Sequence, residues 1–185
     1  QEVRATSIGP VFGDCSARIC DPDGVELASG DEGELEIRSP YNFWGYLDNQ
    51  AANEASFRSS GWFRTGDLAR IDAAGNITVT GRLKDVIMRG GIKINPLDVE
   101  ELMEAHAAVL QAAMVPVPDE VLGERACLFV VLAPEAALTL DDVKEYLAGA
   151  KVAKMFWPER LAIVESMPMT PTRKVIKGRL RVPPE

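Results

Sequence analysis

Gly61-Trp-Phe-Arg-Thr-Gly-Asp67 and Gly81-Arg-Leu-Lys-Asp85 are the two stretches that decide the fold of this chain. Each places a charged side chain directly after a glycine. A carboxylate in the position of Asp67 can accept hydrogen bonds from vicinal hydroxyls, such as those of a ribose. The guanidinium of Arg82 offers a rigid fork of donors that matches phosphate oxygens. Taken alone, Asp67 could equally be a turn acid that opens the next strand, and Arg82 could form a surface ion pair with Asp85.

The sequence around these two stretches is β-rich. Strands are predicted before Lys84 at Ala17–Cys20, Glu34–Ile37, Leu68–Ile71 and Ile77–Thr80. Asp21-Pro-Asp-Gly24 has the composition of a turn, and Asp72–Asn76 predicts a hairpin between the last two strands. These elements account for only part of a barrel or sandwich.

The pattern changes after Lys84. Asn95 and Pro96 predict a helix start, and Thr139 predicts a second helix that runs to about Gly149. Apolar strands are predicted at Val109–Val117, Ala126–Leu132 and Leu161–Val164. Helices that alternate with strands at this scale predict a compact α+β domain of about 100 residues.

Composition narrows the function classes. The chain has 185 residues, 46% of them apolar, and a formal net charge of −8, which argues against nucleic acids and membrane surfaces as partners. Its three cysteines (Cys15, Cys20 and Cys127) lack metal-ligand spacing and favour free thiols in a reducing, cytoplasmic compartment. No metal site is predicted. A first residue other than methionine, Gln1, suggests a fragment boundary.

Two further segments could carry chemistry. Gly90 and Gly91 lie in a basic loop, where glycines allow a ligand to approach the backbone; the simpler interpretation is a turn between a strand and a helix. Pro168-Met-Thr-Pro-Thr-Arg-Lys174 belongs to a segment, Ser166–Arg181, that contains five basic residues and no acid. That segment could also be a solvated face or a helix end. The only histidine, His106, is interpreted as a packing residue at a helix end.

In their order and spacing, the three motifs at residues 61–67, 81–85 and 168–174 resemble the late motifs of adenylate-forming enzymes. That superfamily includes acyl- and aryl-CoA synthetases, adenylation domains of peptide synthetases, and luciferases. The resemblance covers nearly the whole chain. It implies an α+β fold, with residues 1–83 as the β-rich end of the large AMP-binding domain. A hinge would follow, and then a small mobile C-terminal domain over residues 84–185.

The resemblance also implies roles for individual residues. Asp67 and Arg82 would bind the ribose and phosphate of ATP or AMP. Lys84 would be the hinge, and Gly90 with Gly91 would line the pantetheine tunnel of CoA. Lys174 would bridge the substrate carboxylate and the α-phosphate as the catalytic residue.

The matching family segment has glycine where this chain has Arg173. This departure leaves the conformation of the loop before Lys174 open.

The implied activity is that of an acid–thiol ligase. The intact protein would activate a carboxylic acid with ATP, release pyrophosphate, and pass the acyl group from the adenylate to CoA. Magnesium would enter with ATP. The family's phosphate loop has no counterpart in these 185 residues, so the chain alone is expected to be inactive. Two alternatives stay open: an aryl-acid adenylating enzyme that loads a carrier protein, and a non-catalytic nucleotide-binding module. The resemblance implies neither a particular carboxylic acid substrate nor an oligomeric state.

Overall fold

The computed structural model describes residues 7–182, and the chain divides into two compact units. Unit 1 is Gln1–Lys84 and unit 2 is Asp85–Glu185. Strands dominate the described part of both units and helices are few, which confirms the predicted α+β class. None of the helices within residues 7–182 is both long and apolar enough to cross a membrane.

The sheet of unit 1 is an antiparallel meander. Its strands, in spatial and sequence order, are β1 (Ser16–Cys20), β2 (Gly33–Arg38), β3 (Phe63–Ile71) and β4 (Ile77–Arg82). All four overlap predicted strands. The predicted hairpin is closed by a hydrogen bond of 3.0 Å from Asp72 N–H to Asn76 O. One face is apolar, with a buried core of Ile19, Leu35, Ala69 and Ile77.

The other face of this sheet buries charge. Glu36 alternates with the core residue Leu35 along β2, so its side chain points to the opposite face, where it is 0% exposed. Arg18 Nη2 lies 2.7 Å from one carboxylate oxygen, and Arg58 Nε lies 2.8 Å from the other. The Trp62 ring covers the Arg18 guanidinium at 4.4 Å. The buried carboxylate is therefore compensated on both oxygens.

A short helix in unit 1, α1 (Gln50–Ser56), has no counterpart among the predicted elements. Asn49 caps it, because its side-chain oxygen accepts a hydrogen bond of 3.1 Å from Ala52 N–H. None of its residues is buried. The helix therefore has no apolar stripe from which it could have been predicted.

Unit 2 contains a five-stranded sheet. Its strands are β5 (Ile87–Arg89), β6 (Ile92–Ile94), β7 (Val109–Asp119), β8 (Gly123–Leu132) and β9 (Arg160–Ile163). β8 is central: β7 pairs along its length, β9 joins it in parallel, and β5 meets it at Gly123. The hairpin of β5 and β6 was not among the predicted elements, whereas the three longer strands were.

The two helices of unit 2, α2 (Pro96–Glu104) and α3 (Leu140–Gly149), begin where their capping residues predict. The Asn95 side chain accepts a hydrogen bond of 3.3 Å from Leu97 N–H. Thr139 and Asp142 form a reciprocal capping box at α3. Val99 and Met103 of α2 are buried in the same cluster as Val143 and Leu147 of α3.

The two faces of the unit 2 sheet are covered differently. Alternate residues of β7 divide between them, with Met114 in the helix-covered cluster and Ala113 and Val115 in a second cluster. The segment after β9 covers the second cluster: Met167 is buried in it, and it is joined by the partly buried side chains of Met169, Val175, Leu180 and Val182. The C-terminal motif is therefore fixed to a sheet face by apolar contacts.

Candidate functional site

Asp67 and Arg82 are brought together by the pairing of β3 with β4. They are register partners, and Arg82 Nε lies 2.7 Å from Asp67 Oδ1. The Arg82 side chain is 49% exposed and the Asp67 side chain 26% exposed. The surface pair of Arg82 with Asp85, considered as an alternative, is not formed; the acid that Arg82 meets is Asp67. This pair offers free acceptor and donor positions to solvent.

The Asp67 carboxylate is held by the local backbone of β3. Gly66 has φ of 72°, and Asp67 N–H donates to Thr65 Oγ1 at 3.0 Å. Thr65 Oγ1 in turn donates to Leu35 O at 2.9 Å, which ties this part of β3 to β2. Asp67 thus lies inside a strand, beside an irregularity of the ladder between Leu68 and Ala69. The alternative of a turn acid that opens the next strand is incorrect.

Lys84 lies at the boundary between the two units. It is an exposed residue in a 3₁₀ turn, Leu83–Asp85, and the division into units falls directly after it. A single turn of 3₁₀ helix contains few hydrogen bonds that would resist a change of φ and ψ.

Gly90 and Gly91 form the two-residue turn between β5 and β6. Their φ values are 55° and 85°, so both positions favour glycine, as expected for a tight hairpin. Gly90 N–H donates to Leu122 O at 2.8 Å, which joins this turn to the tip of the β7–β8 hairpin. The turn connects two strands rather than the strand and helix expected from the sequence. The neighbouring Arg89 is engaged by Glu159 at 2.6 Å.

Lys174 is exposed at the end of a tight loop on the second sheet face. Met169 and Val175 form an isolated antiparallel bridge that closes the loop. Thr170 fastens it twice: its N–H donates to Lys174 O at 2.8 Å, and its Oγ1 accepts from Lys174 N–H at 3.0 Å. Across residues 7–182, no carboxylate lies within ion-pair distance of the Lys174 ammonium. The cation is therefore presented on an ordered backbone without a partner acid.

Arg173 has φ of 64°, in the left-handed region. This gives the conformation of the loop before Lys174, which the sequence had left open. The loop adopts the conformation that glycine would take without steric cost, and arginine adopts it with strain. The loop therefore keeps a glycine-type geometry although the residue has changed.

Lys177 and Glu100 form a link that sequence reasoning missed. Lys177 Nζ lies 2.7 Å from Glu100 Oε1 and 3.8 Å from Asp85 Oδ2. Glu100 is 8% exposed and also accepts a hydrogen bond of 2.6 Å from Met114 N–H. Burial raises the pKa of Glu100, and the charge of Lys177 offsets that effect only in part. Residues so far apart in sequence give no local signal of such a pair.

His106 is a packing residue, as expected. Its ring meets the Tyr146 ring edge to face at 4.7 Å, and its Nδ1 accepts a hydrogen bond of 3.1 Å from Ala108 N–H. In the part of the chain spanning residues 7–182, no group of three or more His, Cys, Asp and Glu side chains is arranged to hold a metal ion.

Comparison with known proteins identifies relatives of this chain. The family described as "AMP-binding enzyme C-terminal domain" matches residues 98–174. The 2-hydroxy-7-methoxy-5-methyl-1-naphthoate–CoA ligase of Streptomyces carzinostaticus is 45% identical over 179 residues, which cover 97% of this chain and 32% of that protein. The salicyl-AMP ligase / salicyl-S-ArCP synthetase of Mycobacterium tuberculosis is 42% identical over 160 residues, covering 86% and 28%.

A solved relative matches the fold in two forms. The ATP-bound structure of MatB from Rhodopseudomonas palustris has a TM-score of 0.87 at 33% identity, covering 94% of this chain and 34% of that one. The apo structure of the same protein has a TM-score of 0.61 over the same coverage, at 34% identity. MatB itself therefore differs between its two structures in the region matched.

The chain spans about a third of the length of the curated relatives it matches. Within that third, the resemblance carried by the three motifs is confirmed by the family match and by the relatives. The chain therefore belongs to the adenylate-forming, AMP-binding enzyme superfamily and matches the C-terminal portion of its members.

Proposed function

We propose that this chain is the C-terminal part of an ATP-dependent carboxylic acid–CoA ligase. The observation that carries the proposal is the placement of its charged groups. A half-exposed Asp67–Arg82 pair lies in unit 1, and the exposed Lys174, which has no acid partner among residues 7–182, lies in unit 2. In this proposal unit 1 is the β-rich end of the large AMP-binding domain and unit 2 is the small mobile domain. The division between them falls one residue after the proposed limit of residues 1–83.

The Asp67–Arg82 pair has the chemistry needed to bind a nucleotide. Asp67 has a second carboxylate oxygen that can accept from ribose hydroxyls, and Arg82 has donors beyond the Nε that meets Asp67. The existing ion pair keeps both side chains oriented before the ligand arrives. Because these side chains are already oriented, less conformational entropy is lost when the ligand binds.

Lys174 would act in the first half-reaction. A carboxylate oxygen attacks the α-phosphorus of ATP, and the bond to pyrophosphate breaks. Both reactants are anions, so a fixed cation that contacts the carboxylate and the α-phosphate lowers the barrier by offsetting their charge. Magnesium bound with ATP would neutralise further phosphate charge. The exposed, tightly hydrogen-bonded loop fits this role because it fixes the backbone at Lys174 and leaves the ammonium exposed to substrate.

The second half-reaction would use a different pose of unit 2. The sulfur of CoA attacks the acyl carbon, AMP leaves, and the thiol proton passes to solvent. Lys84 is the proposed hinge, supported by its position at the unit boundary and by the two different forms of MatB. The turn of Gly90 and Gly91 is the proposed contact for the pantetheine arm, because Gly91 carries no side chain and nothing lies near the place a Cβ would take.

A carrier-protein arm is the second candidate acceptor. It is favoured by the relative whose name includes salicyl-S-ArCP synthetase. Pyrophosphate exchange on the full-length enzyme, with a panel of aliphatic and aromatic acids, tests adenylation. Thioester formation with free CoA, or with a carrier protein carrying the arm, then separates the two acceptors. Absence of exchange with every acid would support the non-catalytic nucleotide-binding module instead.

We also propose the reducing cytoplasm as the location, without nucleic acids or membranes as partners. Cys15, Cys20 and Cys127 are free thiols, and the net charge of −8 disfavours polyanions. Burial raises the pKa of Cys127 to about 11, so that thiol stays protonated and unreactive.

A further inference from the structure

The basic segment near the C-terminus contains two lysines with contrasting surroundings. Lys174 is exposed and has no acid partner among residues 7–182, whereas Lys177, three positions later, has a side chain only 22% exposed. Lys177 Nζ lies 2.7 Å from Glu100 Oε1 and 3.8 Å from Asp85 Oδ2. Lys174 is thus accessible to a ligand, whereas Lys177 is engaged in ion pairs within unit 2.

Glu100 is a strong anchor for Lys177. Its carboxylate is buried between α2 and β7, and the same oxygen that meets Lys177 accepts the Met114 N–H at 2.6 Å. A buried carboxylate requires a partner, because an unpaired buried charge is costly. The Lys177 ammonium is therefore held at a point defined by a helix and by the main chain of a long strand.

The backbone transmits this anchor to the Lys174 loop. Ile176, immediately before Lys177, donates its N–H to Pro168 O at 2.7 Å. The next pair of hydrogen bonds inward joins Thr170 to Lys174. Lys177 itself begins a 3₁₀ turn that ends at Arg179. The anchored residue is thus continuous with the hydrogen bonds that close the loop.

The third member of the cluster lies beside the proposed hinge. Asp85 is the first residue of unit 2 and follows Lys84 directly. Its carboxylate faces the same ammonium as Glu100. The Lys177 ammonium, which belongs to the C-terminal segment, therefore contacts both Asp85 at the end of the 3₁₀ turn and Glu100 of the helix α2.

We propose that Lys177 is a positioning residue for adenylation. Its contacts with Glu100 and Asp85 hold the Lys174 loop in a fixed position relative to the first residues of unit 2. This inference rests on the proposed function. Lys177 touches no substrate; it fixes the place from which Lys174 does. When the segment bearing Lys174 is carried into the adenylating pose, the cluster makes the hinge exit and the loop move as one body.

The main test compares variants of the full-length enzyme. Lys177→Met keeps the aliphatic stem and removes the charge, and Lys177→Arg keeps the charge. Arg179→Met is the matched control, because it removes a cation from the same 3₁₀ turn at a side chain with no acid partner in the described part of the chain. We expect Lys177→Met to lower kcat for adenylate formation about 10- to 100-fold with little change in KM, as misplacement of a catalytic group does. Lys177→Arg and Arg179→Met should stay close to wild type.

A double-mutant cycle separates positioning from a general structural role. If Lys177 acts through Lys174, adding Lys177→Met to Lys174→Ala causes no further loss of adenylation. Additive losses would overturn the proposal, as would equal effects of Lys177→Met and Arg179→Met. Should Lys177→Met fail to fold, Glu100→Gln takes its place in the cycle, because the amide oxygen can still accept the Met114 N–H while the charge is removed.

Hydrogen exchange of residues 168–176 gives a result that does not depend on activity. In the 185-residue chain, Lys177→Met should speed exchange of the Thr170, Lys174 and Ile176 amides, and Arg179→Met should not. Unchanged protection in Lys177→Met would overturn the anchoring. If wild-type enzyme shows no pyrophosphate exchange with any acid, the proposed function fails, and this measurement still decides whether Lys177 anchors the loop.

Discussion

At the scale of single residues, the loop that contains Arg173 and Lys174 combines an ordered backbone with an exposed lysine side chain. Thr170 and the Met169–Val175 bridge order the backbone, and the Lys174 side chain stays exposed. Arg173 adopts the left-handed conformation that the turn requires. The motif selects Lys174 by its position, and the catalytic role of that lysine stays a prediction. The geometry of the loop could not be predicted, because a non-glycine residue seldom takes this φ.

Lys174→Ala should cripple the first half-reaction of the full-length enzyme. Removal of a cation that stabilises the transition state typically lowers the rate about 10²- to 10³-fold. Thioester formation from supplied acyl-adenylate should be largely retained, because the charge is needed where two anions meet. Single-turnover assays of each half-reaction measure this, with Arg179→Ala as the control cation. Equal loss in both halves would point to a folding defect.

Arg173→Gly should leave the stability of the 185-residue chain unchanged or slightly raised. Glycine removes a left-handed strain of about 1–2 kcal/mol, and its extra freedom in the unfolded chain costs about 0.5–1 kcal/mol. The control is Arg179→Gly, where φ is not positive and only the entropic loss applies. Urea unfolding of both variants measures the difference. If Arg173→Gly lowers the free energy of unfolding as much as Arg179→Gly does, the backbone of Arg173 is not strained.

At the scale of elements, β2 shows where local patterns mislead. Its Glu-Leu-Glu alternation reads as a strand with one polar, solvated face, yet Glu34, Leu35 and Glu36 are all buried. The partners that make this possible come from other elements, Arg18 of β1 and Arg58 before β3. The longer strands and the capped helices α2 and α3 could be predicted because their signals are local. Long-range ion pairs could not, and Lys177 with Glu100 is another example.

Glu36→Gln should destabilise the chain by about 3 kcal/mol, because removal of the carboxylate leaves the charges of Arg18 and Arg58 without their buried partner. Glu32→Gln is the matched control: its pair with Arg70 is exposed, 55% and 35% for the two side chains. Loss of such a surface pair costs at most about 1 kcal/mol. Urea denaturation at neutral pH compares them. Equal, small effects would mean that the Glu36 network contributes no more than a surface pair.

The same variant has a defined pH dependence. Burial raises the pKa of Glu36, but hydrogen bonds from Arg58 and Arg18 outweigh it, so the net pKa lies below its usual value. A lowered folded-state pKa gives stability that is present above the unfolded value, about 4.3, and lost as pH falls through the folded value. The stability gap between wild type and Glu36→Gln should therefore narrow below about pH 4. A gap that widens on acidification would contradict this sign.

At the scale of the whole molecule, the two-unit organisation is the main feature. The composition change after Lys84 could be read from the sequence, because glycine-rich strands give way to capped helices. The short helix α1 and the β5–β6 hairpin could not, since neither has an apolar periodicity of useful length.

Lys84→Pro tests the unit boundary as a hinge. Proline fixes φ near −65° and restricts the preceding residue, so a turn at Leu83–Asp85 could no longer follow a large rotation. We expect slow thioester formation with adenylation less affected, measured as separate half-reactions in the full-length enzyme. Lys84→Ala, which removes only the side chain, should behave like wild type. Unchanged turnover in Lys84→Pro would remove Lys84 from the hinge role.

The 185-residue chain should bind ATP no more tightly than a Kd of about 1 mM, which corresponds to roughly −4 kcal/mol. Asp67, Arg82 and Lys174 offer charge-assisted contacts of about 1.5–3 kcal/mol each. Lost translational and rotational freedom costs at least about 4 kcal/mol, and ordering of the side chains adds to it. Titration calorimetry with ATP and magnesium measures the affinity, and Asp67→Ala is the control. A micromolar site would show that these residues are more self-sufficient than their exposed geometry implies.

The parallel pairing of β9 with β8 has a consequence for the order in which the chain folds during synthesis. Each of the four described strands of unit 1 pairs with its neighbour in sequence, so this sheet can form once β4 has left the ribosome. Unit 2 places Ala162 and Met167 in the core beneath β8, with Leu180 and Val182 beside them. The apolar second face of the sheet can therefore be fully covered only after translation has passed about residue 182, and until then a partly synthesised unit 2 exposes apolar surface of the kind that favours aggregation.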